Sequence, residues 1–364
     1  VNSGISFSGK YFKLTADITL PDNNWTPIGC KINPNIASIE AGENLYPFSG
    51  TIDGAKEGAD GECWTLTVPQ NGLPLLGYVK GATVKNLNLA GERIDGYGLV
   101  NNFEGVGLSG TAITIENVTI KSGTNIVKSG LLGANMRENP YAGVSAAFVA
   151  SIKNCTIEEG AVIGCDGDQN MIGGFAGRMQ GTIENCKNYG TVKGKNIVGG
   201  IIGTRDNALK ICTVKNCGFY GSVIGEENVG GIVGSGATIE NCRAMVMIDN
   251  AAERIGAIAG IVDDPLDGSV TGNTFVDGGV AGIDSVSYQG IAEPLAYEDF
   301  VAQENLPDDF GSICVRFVTD EDSLVQEYHI PYGSDFPTDQ LPPVPNHQGQ
   351  YGSWEDVDLT GMTF

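Results

Sequence analysis

Histidine is nearly absent from this sequence of 364 residues, in which only His329 and His347 occur. Both lie close to the C-terminal end of the sequence. The body of the chain therefore offers no histidine for a Ser-His-Asp triad, a Cys-His pair or a histidine-ligated zinc site. This shortage favours a structural or binding protein over a hydrolytic enzyme.

Basic residues are also scarce. The chain has 21 lysines and arginines against 44 acidic residues, which gives a formal net charge of −23. Such a chain lacks the basic surface that nucleic-acid phosphates require, and anionic membranes repel it. No apolar run approaches the roughly 18 residues that span a bilayer. We therefore expect no nucleic-acid partner and no membrane insertion.

Two short phrases alternate along the sequence, with a period of roughly 30 residues that is typical of repeat architectures. The second phrase, GGxxG, begins at Gly173, Gly199 and Gly230, and a worn copy begins at Gly256. The first phrase, TIEN or a close variant, contains one asparagine in each copy. These asparagines are Asn86, Asn117, Asn154, Asn185, Asn216, Asn241 and Asn273.

The repeat unit is β-branched, with glycine, asparagine and aspartate between its apolar stretches, so it is typical of short strands joined by tight turns. Long helices are excluded, because 53 residues are glycine and no 3.6-residue apolar pattern appears. Roughly 30 residues divide into about three strands of five or six residues plus turns. We therefore predict a mainly β protein, a parallel β-helix with about three strands per coil.

Asparagine and cysteine recur side by side at the end of the first phrase. We expect the asparagines at a bend, where the amide of each copy stacks on the next. The cysteines should form a buried column of reduced thiols, because side chains in register on parallel strands do not suit disulfide geometry. The residues of these two predicted ladders are Asn154, Asn185, Asn216 and Asn241, with Cys155, Cys186, Cys217 and Cys242.

The TIEN and GGxxG phrases together resemble the GLUG-motif repeats of bacterial cell-surface proteins. DITL from Asp17, WTPIG from Trp25, FSGTIDG from Phe48 and LLGYVKGATVKNLNLAG from Leu75 resemble the first coils of such proteins. The resemblance covers residues 11 to 283 and implies a right-handed parallel β-helix on the surface of, or secreted by, gut-type bacteria. Residues 94–109 and 129–147 lengthen the period, and we expect them to form loops that leave the coil.

Three segments are expected along the chain. Residues 1–283 form the β-helix, residues 284–312 form an acidic linker or cap with a short helix from Tyr297 to Asn305, and residues 313–364 form a small module. This module resembles the Listeria–Bacteroides repeat, which implies a small α+β, β-grasp-like domain, and we expect it to be truncated. The matching residues are Phe317, Tyr332, Gly333, Gly349, Tyr351 and Trp354.

Candidate ligand-binding residues follow the GGxxG phrases. Arg178 and Arg205, with Asp206, lie in equivalent turns of neighbouring coils, where the arginines either hold an anionic ligand or pair with nearby acids. Trp64 lies in a glycine-rich insert and is a candidate for stacking on carbohydrate. Trp25 lies inside a repeated motif, and we expect it to pack in the core.

Calcium is the one cofactor that the acidic turns suggest. Asp166 and Asp168 imitate the first ligands of a calcium loop, although the later glutamate is missing. Asp263, Asp264 and Asp267 form the densest acidic cluster. Each group either binds calcium or consists of acidic turn residues that are exposed to solvent.

No carboxylate ladder appears before the double glycines, where only Asn170, Asn196 and Asn228 recur. We therefore assign no catalytic residue. We predict a noncatalytic, adhesin-like, monomeric protein, extracellular or on the surface of a bacterium, that presents loops to a glycan or a surface protein. The alternatives are a polysaccharide lyase or glycoside hydrolase of the pectin-lyase-like class, and the carbohydrate-binding part of a larger secreted enzyme.

Overall fold

The structure of the chain is a computed structural model with two compact units, Val1–Leu295 and Ala296–Phe364. It describes residues 7–21, 25–29, 47–104, 109–135, 147–165, 169–205, 212–249, 253–304, 306, 310, 312–318, 324–331, 334–337 and 341–344. The first unit is a parallel β-helix, as the repeats predict. In its described part, strands of successive coils pair in parallel and build three long sheets.

The first sheet contains twenty strands among the described residues. They are Tyr11–Lys13, Ile18–Thr19, Thr51–Asp53, Trp64–Thr67, Ala82–Ala90, Ser109–Ile120, Asn125–Ile126, Ala147–Lys153, Thr156–Ile157, Val162–Ile163, Gly181–Glu184, Lys187–Asn188, Thr191–Lys193, Cys212–Lys215, Gly218–Ile224, Thr238–Glu240, Arg243–Asp249, Val270–Thr271, Asn273–Val276 and Ala292–Leu295. The second sheet has four strands in the same described part: Asn170–Gly173, Asn196–Gly199, Glu227–Gly230 and Glu253–Gly256. The third has seven there: Leu76–Lys80, Val100–Glu104, Leu132–Asn135, Ala176–Met179, Ile202–Arg205, Val233–Ser235 and Ala259–Ile261.

One complete coil shows how the three sheets are connected. The coil that starts with Gly181–Glu184 continues through Lys187–Asn188 and Thr191–Lys193, all in the first sheet. It then contributes Asn196–Gly199 to the second sheet and Ile202–Arg205 to the third. The coil is therefore three-sided, and the first side is bent into three short strands.

One part of the core is a column of apolar side chains on the inner face of the first sheet. Val84, Ile115, Ile152, Ile183 and Val214 stand in register on successive coils and are fully buried. Burial of such a side chain contributes about 1.5–3 kcal/mol. This column of inward-facing apolar side chains agrees with the β-helix that the repeats predict.

The bend in the first sheet, here called the asparagine corner, uses left-handed backbone. Its residues have φ angles between 51° and 54°, a region that asparagine tolerates better than other side chains. They are Asn86, Asn117, Asn154, Asn185, Asn216 and Asn241. Amide Nδ2 of Asn117 donates to Oδ1 of Asn86 at 2.9 Å, and Asn185 donates to Asn154 at 3.3 Å. These contacts form an amide ladder across coils.

Asn273 does not belong to the asparagine corner, contrary to the prediction. Thr271 pairs with Glu240, so Gly272, with φ of 63°, occupies the position of Asn241. Asn273 therefore stands in the cysteine column and is fully buried, where its Oδ1 accepts a hydrogen bond from Cys242 N at 2.8 Å. Because glycine has no Cβ, it adopts the left-handed conformation without steric cost. Gly272 can therefore stand where the earlier coils have asparagine.

The cysteine column lies directly inside the asparagine corner. Cys155, Cys186, Cys217 and Cys242 are at most 1% exposed. Each thiol lies near backbone carbonyls, as Cys186 does, whose Sγ is 3.3 Å from Glu184 O and 3.8 Å from Ile152 O. Burial raises the pKa of Cys186 and Cys242 above the ordinary value. Among the residues that the structure describes, the cysteines with free thiols are Cys63, Cys155, Cys165, Cys186, Cys212, Cys217 and Cys242.

The second-sheet strands and the GGxxG glycines that follow them, together here called the glycine corner, also contain left-handed residues, each at the second position of its strand. They are Met171, Ile197, Asn228 and Arg254, with φ between 55° and 60°. A Cβ atom on Gly234 of the next coil would lie 2.8 Å from Val198 N and 2.9 Å from the carbonyl carbon of Ile197. The GGxxG glycines are thus required because backbone packs on backbone at this corner.

The expected alignment of Asn170, Asn196 and Asn228 is wrong by one position. Asn170 pairs with Asn196, but Asn196 pairs with Glu227, so Asn228 stands in the left-handed column. The register here follows backbone conformation. Asn228 therefore occupies the positive-φ position that Met171 and Ile197 hold in the two preceding coils.

The β-helix extends past the predicted boundary at residue 283, because Ala292–Leu295 pairs in parallel with Asn273–Val276. The two stretches expected to be loops also contain strands of the third sheet, Val100–Glu104 and Leu132–Asn135. Their remaining central parts, 105–108 and 136–146, lie outside the described residues.

The second unit contains an antiparallel pair of strands, Ser312–Val318 and Leu324–Pro331. Phe317, Ile330 and Phe336 form a small buried cluster on it. A helix spans Tyr297–Val301, shorter than predicted, because Ala296 provides no side-chain cap and only Phe300 is buried. The β-grasp-like module and the capping role stay predictions. No helix of the described residues is long and apolar enough to cross a membrane.

Candidate functional site

A step in the β-helix creates a polar cavity among the described residues. The second sheet begins with Asn170–Gly173, which has a single neighbouring strand in that sheet. In the two preceding coils, the chain turns from Ile94 to Val100 and from Ile126 to Leu132 without a described strand of this sheet. The added strand therefore has no partner strand in those two coils. A cavity of about 360 Å³ lies between this strand and the turns of those coils.

The residues of this cavity, here called the step pocket, come from three consecutive coils. They are Tyr97, Lys128, Ser129, Gln169, Asn170, Met171, Ile172, Gly177 and Arg178. Because Val100 pairs with Leu132 and Leu132 with Ala176, Tyr97 and Ser129 occupy the position of Gly173. The pocket therefore forms where side chains replace the first glycine of the repeated pair.

Tyr97 and Lys128 form one wall of the step pocket. Nζ of Lys128 lies 5.2 Å from the ring centroid of Tyr97, a cation–π arrangement that holds the two side chains together. Tyr97 is half-buried, and desolvation raises its phenol pKa, so the hydroxyl is protonated at neutral pH. The wall therefore presents an aromatic surface, a hydroxyl donor and one positive charge.

Arg178 supplies the second positive charge of the step pocket. It lies on the strand Ala176–Met179 and is half-buried. Its guanidinium differs from the Lys128 ammonium in offering planar, paired donors that suit a carboxylate. None of the described lining residues is acidic. Two cations at one pocket stand out in a chain whose net charge is −23.

Amide and hydroxyl groups form the floor of the step pocket. The buried Ser129 Oγ accepts a hydrogen bond from Gly173 N at 3.3 Å, which ties the floor to the new strand. Asn170 Oδ1 accepts from Asn196 N at 3.2 Å, and Gln169 Nε2 donates to Cys165 Sγ at 3.1 Å. These contacts orient the polar side chains on rigid elements of the scaffold.

The structure separates the two arginines that the sequence grouped. Arg178 pairs in register with Thr204, whereas Arg205 pairs with Met179, so the arginines are not equivalent. Nη2 of Arg205 lies 2.5 Å from Asp263 Oδ2, which matches the alternative of pairing with a nearby acid. Asp206 lies outside the described residues.

The acidic residues proposed for calcium form turns in the structure. Asp264 Oδ1 accepts a hydrogen bond from Leu266 N at 2.9 Å, and Asp267 Oδ1 accepts one from Ser269 N at 2.7 Å. The hydrogen bonds from Ser269 lower the pKa of Asp267. No group of three or more metal-ligating side chains occurs among the residues that the structure describes. Asp166 and Asp168 lie outside them, and calcium binding stays a prediction.

The tryptophans that the structure describes are both held by neighbours. Lys56 Nζ lies 5.0 Å from the centroid of the Trp64 ring, and the same ammonium pairs with Glu62 at 3.0 Å. Trp25 packs against the core, and its Nε1 donates to Pro74 O at 3.1 Å. Trp64 is half-buried and remains a surface candidate, although a lysine stands over its ring.

A second cavity, of about 590 Å³, lies among the first coils. Its lining is almost entirely apolar and includes Leu20, Trp25, Phe48 and Leu66. The part of its lining that the structure describes has no convergent polar groups and so provides no orientation for a polar ligand. We therefore regard it as the end of the hydrophobic core.

Some carboxylates on the coil surface form ion pairs with residues of neighbouring coils. Glu184 lies 3.4 Å from Lys153 and 2.9 Å from Lys215, on the coils before and after it. These lysines hold the pKa of Glu184 below its usual value. On the second sheet Arg254 pairs with Glu227 at 3.1 Å. These carboxylates therefore form ion pairs that link neighbouring coils and stabilise the stack.

Comparison with known proteins gives partial similarities. No protein-family model matches the chain. A stretch of 100 residues, 27% of this chain, is 38% identical to halomucin from Haloquadratum walsbyi, and it covers 1% of that protein's length. A protein of known structure from Bacteroides ovatus, described as a "putative immunoglobulin A1 protease", aligns over 82% of this chain and 81% of its own. That alignment has a TM-score of 0.43 and 19% identity.

Sequence reasoning identified Arg178 but missed Tyr97, Lys128, Gln169 and Asn170 as neighbours of it. The signal for Tyr97 is its departure from the repeat, because YGLV replaces the GGFA that a later coil has at the same position. Aligning the copies by their glycines would have shown this substitution.

Proposed function

We propose that the chain is a noncatalytic, extracellular, adhesin-like scaffold that binds a glycan at the step pocket. The observation that carries the proposal is the convergence of Tyr97, Lys128 and Arg178 with two amide side chains in one cavity. Sugars offer C–H faces that pack on aromatic rings and hydroxyls that bond to amides and cations. The β-helix holds these groups on three successive coils, which reduces the entropy lost on binding.

The rest of the scaffold supports a binding role over a catalytic one. Surface acids such as Glu184 and Glu227 are held by lysine or arginine, whereas a glycoside hydrolase needs two carboxyl groups across one bond. The similarity to halomucin supports an extracellular location. A bacterial source and a monomeric state belong to the same proposal, as does membership among the GLUG-repeat surface proteins.

A polysaccharide lyase is the second candidate, because such an enzyme needs a base beside cations that neutralise a sugar carboxylate. Tyr97 lies near Lys128 in the required kind of environment. Desolvation raises the pKa of Tyr97, however, and this keeps the phenol protonated and makes it a poor base.

Glycan-array binding of the full chain, followed by turnover assays on every bound glycan, tests the proposal. We expect binding without release of reducing ends or unsaturated products. Tyr97→Ala should weaken binding about fivefold or more, because the packing of an aromatic ring on a ligand contributes about 1 kcal/mol. Tyr220→Ala is the matched control, since Tyr220 contacts Tyr189 on another face with centroids 6.2 Å apart. Turnover, or equal loss in both variants with unchanged melting temperatures, would refute the proposal.

A further inference from the structure

We propose that one strip of the first sheet, here called the alternating strip, is a surface on which two copies of the chain pair side by side with their coils in opposite order. The strip consists of the residue directly before each corner asparagine, and its side chains point outward because they alternate with the buried core column. On six successive coils these residues are Lys85, Glu116, Lys153, Glu184, Lys215 and Glu240. Lysine and glutamate alternate at every step. This contact does not involve the step pocket or its glycan.

The alternating strip carries no net charge, because its lysines balance its glutamates, although the whole chain has a net charge of −23. The acidic excess therefore lies on other parts of the chain, and copies that approach through those parts repel one another. The charges of the strip are accessible, since the side chains of Lys153, Glu184 and Lys215 are 42%, 21% and 35% exposed. The strip is thus a surface through which two acidic molecules can meet without this repulsion.

A column of hydroxyl residues runs beside the alternating strip, two positions earlier in each strand. It has a threonine or a serine in each of the six coils, from Thr83 to Thr238. These side chains are half-buried and of similar, small size, so they leave this part of the sheet flat. A second flat face can approach it closely, and hydroxyls of the two copies can donate to and accept from each other.

The order of the charges fits a two-fold arrangement. A two-fold axis parallel to the strands, between the third and fourth coils of the strip, reverses the coil order and places one strip on the other. Each lysine then faces a glutamate of the second copy. The opposed pairs are Lys85 with Glu240, Glu116 with Lys215, and Lys153 with Glu184. Copies with their coils in the same order and in register would instead place like charges opposite each other.

The size of this contact sets its strength. Six coils at a spacing of about 4.8 Å extend over about 24 Å, so the contact is smaller than a stable dimer interface. Exposed ion pairs also contribute little each. The chain therefore stays monomeric in dilute solution and pairs where many copies face one another. Ion pairs within each copy, such as Glu184 with Lys215 at 2.9 Å, hold the charges in place before a second copy arrives.

Zero-length cross-linking of the concentrated full chain with a carbodiimide tests the inference, because this reagent joins a carboxylate to an amine in contact with it. An equal mixture of isotopically labelled and unlabelled protein identifies links between copies. We expect mixed-label links between Lys85 and Glu240 and between Glu116 and Lys215. Within one copy these pairs are about 24 Å and 14 Å apart, five and three coils at about 4.8 Å each, so only antiparallel copies can form them.

Salt and charge reversal test whether the charges cause the pairing. Salt at 1 M should lower the yield of the Lys85–Glu240 link at least about fivefold, since the screening length falls to about 3 Å. Lys215→Glu should lower it by a similar factor, because the symmetric contact contains this change twice. Adding Glu116→Lys should restore the yield. The double change places like charges on neighbouring coils within each copy, so repair of the fold cannot explain the restoration.

Arg254→Glu is the matched control, since it also replaces a cation that pairs with a glutamate of the neighbouring coil, at 3.1 Å, but on the second sheet. Its cross-linking yield should not change. Links that join other residues, no links between copies, or a folded double variant without restored yield would overturn the inference. Glycan binding by the same variants is measured separately, so a failure of pairing leaves the proposed function intact, and a failure of glycan binding leaves the pairing intact.

Discussion

The asparagine corner and the glycine corner of each coil contain residues of the same left-handed backbone conformation. At the asparagine corner the residue is asparagine in six described coils, from Asn86 to Asn241. At the glycine corner it is methionine, isoleucine, asparagine or arginine, at positions 171, 197, 228 and 254. One backbone requirement is therefore met by a fixed residue at one corner and by a variable residue at the other.

The difference lies in which atoms carry the constraint. At the asparagine corner the side chain itself bonds to the next coil, as Asn117 does to Asn86 at 2.9 Å. At the glycine corner, glycines such as Gly234 pack directly on the backbone of the neighbouring coil, and the contact is made by backbone atoms of Ile197 and Val198. The glycine corner can therefore change its side chains, and Met171 of this corner lines the step pocket.

The largest expected effect comes from removing the glycine that carries the constraint. Gly234→Ala places Cβ 2.7 Å from Gly203 O and 2.8 Å from Val198 N, and both are backbone atoms that cannot turn aside. We expect a loss of about 3 kcal/mol in the free energy of unfolding, measured by urea denaturation. Gly278→Ala is the control, because its Cβ would have no neighbour closer than 4.0 Å. Similar losses in both variants would contradict the role given to Gly234.

A smaller effect is expected at the start of the asparagine corner, where Asp53 terminates the amide ladder. Burial alone would raise the pKa of Asp53, but hydrogen bonds from Tyr11, from Asn86 at 2.9 Å and from Ala55 N at 3.0 Å lower it to about 2. The unfolded value is about 3.9. This carboxylate therefore stabilises the fold above pH 4 or so, and the contribution of about 2 kcal/mol is lost as the pH falls through about 2.

The variant Asp53→Asn isolates this contribution. The difference in unfolding free energy between the two proteins should be largest near neutral pH and should shrink steadily below about pH 4. Lys13→Gln serves as the control, because Lys13 pairs with the exposed Glu57 at 3.0 Å and such pairs contribute little. A pH-independent difference would show that folding does not shift the pKa of Asp53, which would contradict the role given to its hydrogen bonds.

The fold could be predicted from the sequence because each coil repeats the same chemistry at the same place. Val84, Ile115 and Ile152 are buried in one column for the reason that each lies in a copy of the first phrase. Asn273 and Asn228 were misplaced because residue type was used to align the copies. Glycine also satisfies a positive φ at Gly272, so residue type alone does not fix the register.

The site could be predicted only in part. Arg178 was found because it follows a repeated phrase, but Tyr97 and Lys128 lie in coils that lack a described strand of the second sheet. Their approach to Arg178 depends on where that sheet begins, which is a property of stacked coils. Repeat analysis detects what recurs, whereas this pocket forms where the repeat is broken.

The smallest effect tests the variable corner directly. Ile197 has φ of 60°, a conformation that disfavours β-branched side chains by about 1–2 kcal/mol, while Asn228 occupies the same position one coil later. Because Ile197 is half-buried, its exchange for asparagine also loses some apolar contact, so we expect Ile197→Asn to stabilise the protein by less than about 1 kcal/mol. The reverse change at the other corner, Asn185→Ile, should destabilise by about 2 kcal/mol, since it adds the same strain and removes the 3.3 Å bond to Asn154. Thermal unfolding of both variants measures the contrast, and a loss of equal size would mean that both corners depend on the side chain to the same degree.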